Sequence, residues 1–293
     1  MVNRREMLSA MVLGGGMAAG LPLDAAARAQ PGNGGLAYAL DSPIDNVEIY
    51  ARLTGRPNQQ QTYTYARGSV FGIDPARHEV VAEYGRHLFD LESCQIKVSR
   101  LSAEGVLTER SRAWMLYRDI ATGDYLSTFR NPYTNQNVEV PQFKGRVSGN
   151  TVAPQGMQYK ASISMESTAF GKPYRLKWAF LGDLAVARRE AFTRWQDPRS
   201  KVFRTEMTLD TWSFPIAELR SRSTSYIPNI PSWVSETQWM EFLGMDSHPG
   251  HMLWRTDSRL FDSAEALPQE FVAASRRLLG NDILADVGWD DGR

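Results

Sequence analysis

The chain has 293 residues, 42% of them hydrophobic, and its 33 lysines and arginines are matched by 33 aspartates and glutamates. With no block of Lys or Arg anywhere, that neutral balance excludes nucleic acid and anionic lipid as partners, since both need concentrated positive charge. The single Cys94 excludes an internal disulfide, so stability must come from a hydrophobic core.

The first 29 residues carry an early Arg4-Arg5 pair, an apolar Gly/Ala-rich run from Met7 to Leu23 and the small-residue triplet Ala27-Arg28-Ala29. That order predicts a twin-arginine export signal cleaved after Ala29, and hence a periplasmic protein. The alternative, a membrane anchor, is disfavoured by the glycines and by a run shorter than the roughly 20 apolar residues a bilayer needs. Residues 1–29 hold three arginines and two acids, so the remaining chain stays essentially neutral. Residues 30–36 (QPGNGGL) read as a flexible leader, and 37–293 as a single β-rich domain with no internal linker.

In DNVEIYARL (45–53), Val47, Tyr50 and Leu53 recur at helical spacing, which predicts a short opening helix. From there the period changes to two. Strands are expected at 62–73, 86–100, 112–120, 124–131, 137–143, 158–167, 174–180, 183–195, 203–214 and 251–257. ATGD (121–124), TNQN (134–137) and SGN (148–150) read as hairpin loops, and residues 215–231 as a long covering loop. A closing helix is expected over 263–279, with Ser263 as its cap and Gly280 as its stop. The fold class is therefore mainly β: an antiparallel meander closed into a barrel or half-barrel, lipocalin-like, because closure removes exposed strand edges.

Chemical signatures are sparse. No G-x-S-x-G elbow, Walker loop, H-E-x-x-H or C-x-x-C is present, so no cofactor is expected. Lone Cys94 reads as a small buried apolar side chain. The segment AWMLYRDIATGDYLSTFRNPY (113–133) is the most informative. With ATGD as a four-residue loop, Ile120 would face Tyr125, Arg118 Ser127, Leu116 Phe129 and Trp114 Asn131, leaving both faces apolar with polar groups embedded. One face is then expected to line a cavity, with Trp114, Arg118, Arg130 and Asn131 as ligand contacts. The alternative is a packed core in which Arg118 and Arg130 pair with strand carboxylates such as Asp119 or Glu92. Trp212, Trp233, Trp239 and Trp254 cluster in the last third, and Trp239 and Trp254 join the expected ligand contacts as a roof.

DSHPGH (246–251) places two of the four histidines around a Pro-Gly pair. Pro249-Gly250 suits a type II turn, with His248 and His251 at its ends. Asp246, His248 and His251 are acceptable metal ligands, and His251 at a barrel mouth also suits proton transfer. A plain surface turn is the competing reading. The candidate catalytic groups are His87, Tyr117, Tyr133 and His251.

The stretches RHLFDLESCQIKVSR, AWMLYRDIATGDYLSTFRNPYTNQNVEV, SWVSETQWMEFLGM and HPGHMLW resemble the domain-of-unknown-function family 1838, whose pattern is of the type LLYxDPxTGExLxxWxNPxTGExVEV. The likeness covers most of residues 45–280. Ala121 stands where the pattern has proline, and Asn135-Gln136 where it has Gly-Glu. The resemblance implies a single exported domain and brings no catalytic residues with it.

The residues together point to an exported, cofactor-independent lyase, isomerase or hydrolase using acid/base chemistry on a largely apolar, aromatic small molecule in the barrel. A non-catalytic periplasmic binding protein for a hydrophobic ligand is the alternative, and a structural envelope protein with a filled barrel is a third reading. The expected partner is thus a small molecule, with no nucleic acid and no stable membrane insertion. Oligomeric state is not legible.

Overall fold

The computed structural model describes residues 35–75, 85–160, 165–196 and 203–289; the export signal read at 1–29 lies outside these. Its strands are β1 (Thr62–Ile73), β2 (Gly85–Leu101), β3 (Leu107–Arg118), β4 (Thr128–Arg130), β5 (Asn137–Glu139), β6 (Phe143–Lys144) and β7 (Ser148–Ala153) in the first half. The second half supplies β8 (Gly156–Lys160), β9 (Met165–Ser167), β10 (Lys177–Leu181), β11 (Leu184–Gln196), β12 (Phe203–Pro215), β13 (Ile230–Thr237) and β14 (His251–Phe261). Helix α1 spans Pro43–Thr54 and α2 Gln269–Leu279. The strands pair antiparallel in the order β10-β11-β12-β13-β14-β1-β2-β3-β7-β8, with β9 beside β11 and β6 beside β3. This sheet curls into a half-barrel, the expected architecture. Its two edges approach through backbone bonds from Tyr174 N–H to the Pro154 carbonyl (3.0 Å) and from Met157 N–H to the Ala169 carbonyl (3.2 Å).

Helix α1 starts where Pro43 supplies a preset φ and Ser42 accepts the Asp45 N–H. It is buried nearly all round, with Val47, Ile49 and Leu53 at most 2% exposed, each contributing about 2 kcal/mol of burial. Its surroundings are Leu107, Val152, Tyr174, Trp212 and Phe214, drawn from both halves of the sheet, so the helix closes one end of the half-barrel. Helix α2 lies on the outer face of β1–β3, packing Phe271 and Val272 against Tyr63, Cys94, Ile96 and Trp114. At the other end, Trp239, Leu243 and Met245 pack with Val70, Phe89, Tyr117, Met252 and Trp254. Among the described residues no helix is long and apolar enough to cross a membrane.

Several local expectations are overturned. Residues 113–133 do not form one long hairpin: Arg118 bridges to Tyr125, and Thr128–Arg130 pairs with β5 instead of β3. The cause is local. Asp119 accepts the Ala121 and Thr122 N–H groups and Gly123 takes φ of 75°, so the turn closes between Asp119 and Asp124, one residue earlier in the chain than ATGD. The expected cross-strand pairs therefore fail, while the expected faces hold for Trp114, Leu116 and Tyr125 on one side and for Met115, Tyr117 and Leu126 on the other; Phe129 departs, packing with Tyr117. SGN belongs to β7, where it pairs with β3, and the covering loop expected at 215–231 gives way at Ile230 to β13, an unexpected strand in which Pro231 sits near the start, where a missing N–H is tolerated. The closing helix begins only at Gln269, after Pro268; Ser263 leads a separate 3-10 turn and makes no side-chain cap. The strand expected at 158–167 is two pieces, β8 and β9, with residues 161–164 outside those described.

Candidate functional site

Strand register decides which side chains enter the half-barrel. On β12 the alternate residues Glu206, Thr208, Asp210, Trp212 and Phe214 share one face, and the last two lie buried against α1, so that face is the interior. Opposite them stand Thr193, Ala191 and Arg189 of β11 and Thr237, Ser235 and Trp233 of β13. The same alternation brings in Trp254 and Thr256 from β14, Ala66 and Gly68 from β1, and Glu109, Ser111 and Ala113 from β3. The middle of this interior is made of small or polar side chains. Gly68 is required there: a Cβ would lie 1.8 Å from the Arg255 carbonyl oxygen of the neighbouring strand. Arg189 and Asp210 keep 22% and 18% side-chain exposure although strands surround them, so solvent reaches deep into the barrel.

The mouth lies where β11 ends, β12 begins, β13 ends and β14 begins. A cleft of about 630 Å³ opens there, lined by Ser167, Phe170, Thr193, Glu206, Thr237 and His251 among others. Glu206 is its most perturbed group. Ser235, itself fully buried, donates to Glu206 Oε1 at 2.6 Å, and among the described residues no cation pairs with this carboxyl. Burial raises its pKa above the ordinary carboxylate value and nearby Asp210 adds to the rise, while the Ser235 hydrogen bond partly offsets both. At the outer rim of the cleft, on the face of the sheet opposite Trp254, His251 Nε2 lies 3.6 Å from Glu236 Oε1, with over a third of the imidazole exposed. The arrangement offers a protonatable carboxyl at the entrance of a polar interior and a solvent-accessible imidazole on its outer rim.

The residues singled out in the sequence fall into separate groups. Tyr117, Tyr133, Trp239 and Trp254 come together in one apolar cluster beside the mouth. Tyr117 is 1% exposed, burial pushes its pKa up, and among the described residues its hydroxyl meets only the Met240 sulfur, at 3.6 Å. Tyr133 donates to the Gly72 carbonyl at 2.8 Å and meets Trp239 at 5.2 Å between ring centroids. The Trp239 indole donates to the Pro249 carbonyl, and Trp254 donates to Thr237 Oγ1 at 2.8 Å, on the cleft lining. Fully buried Asn131 holds its turn, donating to the Leu243 carbonyl and accepting the Tyr133 N–H. Arg130 is exposed and donates to Asn135 Oδ1.

On the opposite face of the sheet, Trp114 is buried beneath α2, stacked on Phe271, and donates to Ser275 Oγ at 2.9 Å. Arg118 pairs with Glu92 (3.0 Å) and Glu270 (3.1 Å) and stacks on Tyr125, which is the ion-paired alternative for this arginine. His87 stands apart, stacked on Phe71 and 2.8 Å from Asp90, which also accepts from Ser69.

DSHPGH forms a turn with Gly250 at φ of 100°, and its three possible ligands diverge. Asp246 pairs with Arg204 at 2.9 Å, His248 is exposed, and His251 faces Glu236. Among the described residues no three of His, Cys, Asp and Glu are grouped to hold a metal.

Glu206, Ser235, Asp210 and Arg189 went unrecognised in the sequence. A signal existed: in FRTEMTLDTWSF the two acids alternate in phase with Trp212 and Phe214, which places carboxylates on the face that ends in core aromatics.

Fold and site define a curled antiparallel half-barrel with a solvent-reached polar interior and an enclosed carboxyl at its mouth. Residues 58–277 match the family described as Protein of unknown function (DUF1838), and the chain belongs to that family. No curated protein matches the chain.

Proposed function

We propose that the protein is an exported enzyme that transfers protons to or from a largely apolar, aromatic small molecule held in the half-barrel, as a lyase, isomerase or hydrolase without a nucleotide cofactor. One observation carries this reading: Glu206, a carboxyl with a raised pKa and, among the described residues, one hydroxyl donor and no cationic partner, at the entrance of an accessible interior. A carboxyl poised to stay protonated closer to neutral pH is suited to act as a general acid, because its proton is both present and transferable there. His251, on the rim of the cleft, supplies a second side chain able to donate or accept a hydrogen bond. Trp254, 5% exposed, donates to Thr237 of the cleft lining and braces that wall from behind. The paired arginines and apolar run of residues 1–29 support export through the twin-arginine route to the periplasm.

A periplasmic carrier of a hydrophobic ligand is the second reading. It is favoured by the apolar cluster of Tyr117, Trp239 and Trp254 beside the cleft, where among the described residues the Tyr117 hydroxyl has no acceptor stronger than a thioether.

Native mass spectrometry of the chain purified from its host identifies any retained small molecule. That molecule, or failing one a panel of aromatic esters, epoxides and hydroxylated rings, is then incubated with the wild type and Glu206→Gln. The enzyme reading expects turnover that falls about 100-fold or more in the variant. A retained ligand that neither protein converts overturns the enzyme and leaves the carrier.

A further inference from the structure

Helix α2 covers the outer face of β1–β3, and among the described residues no helix covers the same face of β11–β14. Strand register fixes what that bare face carries. Arg188, Thr211, Ser232 and Asp257 stand level across the four strands, Glu190, Leu209, Val234 and Arg255 form the next level, and Phe192, Met207, Glu236 and Leu253 the third. An antiparallel sheet face left to water carries polar side chains outward. Here five apolar side chains adjoin one another instead, all of them partly exposed, with Phe192 at 60%.

The charges on this face follow a rule. The first level runs from a cation on β11 to an anion on β14, and the second from an anion on β11 to a cation on β14. Arg188, Arg255 and Asp257 are exposed and have no ion pair among the described residues, while Glu190 pairs with Lys177 and keeps 40% side-chain exposure. The face is thereby complementary to itself. A two-fold axis lying in the contact plane, parallel to the strands and between β12 and β13, exchanges β11 with β14 and β12 with β13 and keeps each residue at its level. It sets Arg188 against Asp257, Glu190 against Arg255, Leu209 against Val234 and Phe192 against Leu253, each pair occurring twice. A different partner would not require the two edges of the face to carry opposite signs level by level, whereas a second copy does.

We infer that the outer face of β11–β14 binds a second copy of this chain, the two sheets stacked face to face about that axis. Two pairings are less favourable, Met207 against Glu236 and Arg194 against His251. All four residues line the cleft, which leaves them a route to solvent. The patch runs from residue 188 to 194, about 20 Å at the strand rise, and spans three strand spacings, about 14 Å. The outer face of a half-barrel is convex, so contact is confined to these four strands; the interface is small for a specific dimer, and association in the micromolar range is expected. The dimer does not depend on the chain being an enzyme, because Glu206 points to the other side of the sheet.

Sedimentation velocity of the chain purified from its host, at about 1 to 100 µM, is expected to show a monomer–dimer equilibrium that weakens with added salt. Arg255→Glu and Glu190→Arg each set like charges against each other twice, and each is expected to raise the dissociation constant at least about tenfold. The double variant, Glu190→Arg with Arg255→Glu, exchanges the signs and is expected to return it to within about threefold of wild type. Phe192→Asp, a change at an exposed position that leaves the monomer folded, is expected to leave no dimer in this range. A wild-type chain that stays monomeric throughout, or a dimer that neither single charge variant weakens, overturns the inference. Single variants that both weaken the dimer with no recovery in the double variant overturn the two-fold pairing.

Discussion

Glu92 and Glu206 are enclosed carboxylates on opposite faces of one sheet, and their surroundings differ in kind. Glu92, 4% exposed beneath the edge of α2, accepts from Tyr65, from Tyr125 (2.6 Å) and from Arg118 (3.0 Å). Both carboxylate oxygens are engaged, by three donors, and the charge is compensated, while burial and the bonds to this carboxylate keep both phenols protonated far above neutrality. Among the described residues Glu206 has one donor, no cation, and a neighbour of like charge in Asp210. A carboxylate saturated with donors is a fixed part of the scaffold, whereas one given a single donor and set at an opening is available to exchange its proton. Burial alone does not separate the two; the number and charge of the partners do.

That contrast can be broken in three ways, beginning with the largest effect. Glu92→Gln leaves the mostly buried Arg118 with the exposed Glu270 as its anionic partner and weakens two phenol bonds beneath α2, and is expected to destabilise the fold by about 3 kcal/mol; denaturant unfolding measures it, and a cost below about 1 kcal/mol would mean that Glu92 is not structural.

Glu206→Gln is expected to do the opposite, and with a pH signature. Because the folded pKa of Glu206 is raised, its protonated form favours the fold. That contribution is fully present below the unfolded carboxyl pKa and is lost as pH rises through the folded value. The neutral amide loses nothing, so the variant should match wild type in acid and become the more thermostable of the two as pH rises toward and past neutrality. A difference in melting temperature that stays flat or shrinks with pH would refute the raised pKa.

The smallest effect belongs to the motif that looked most chemical. His248→Ala, on an exposed turn with neighbours that point elsewhere, should change stability by less than about 0.5 kcal/mol and leave metal content unaltered. A loss of bound metal measured by elemental analysis would return Asp246, His248 and His251 to consideration.

Much of the fold was legible from period and punctuation. Alternation marked most of the long strands, Ser42-Pro43 sits where the opening helix starts, and Gly280 ends the closing one, because these signals act within a few residues of chain. The errors came where local chemistry competed. Asp119 moved a turn by one residue, Pro268 delayed a helix, and two prolines disguised β13. Of the proposed site, His251 borders the cleft and Trp254 bonds to a residue of its lining. Trp114, Arg118 and His87 lie elsewhere, since period two says that residues share a face without saying which face is the interior.

By itself, then, the sequence determined a β meander flanked by two helices, because side-chain period and turn residues are properties of neighbouring positions. Only the tertiary structure decided which face α1 and α2 each cover, and thereby which carboxylate is surrounded by donors and which is left at the mouth. Glu92 and Glu206 look alike in a strand; Tyr65, Arg118 and Tyr125 reach the first from three separate segments, and only folding brings them there.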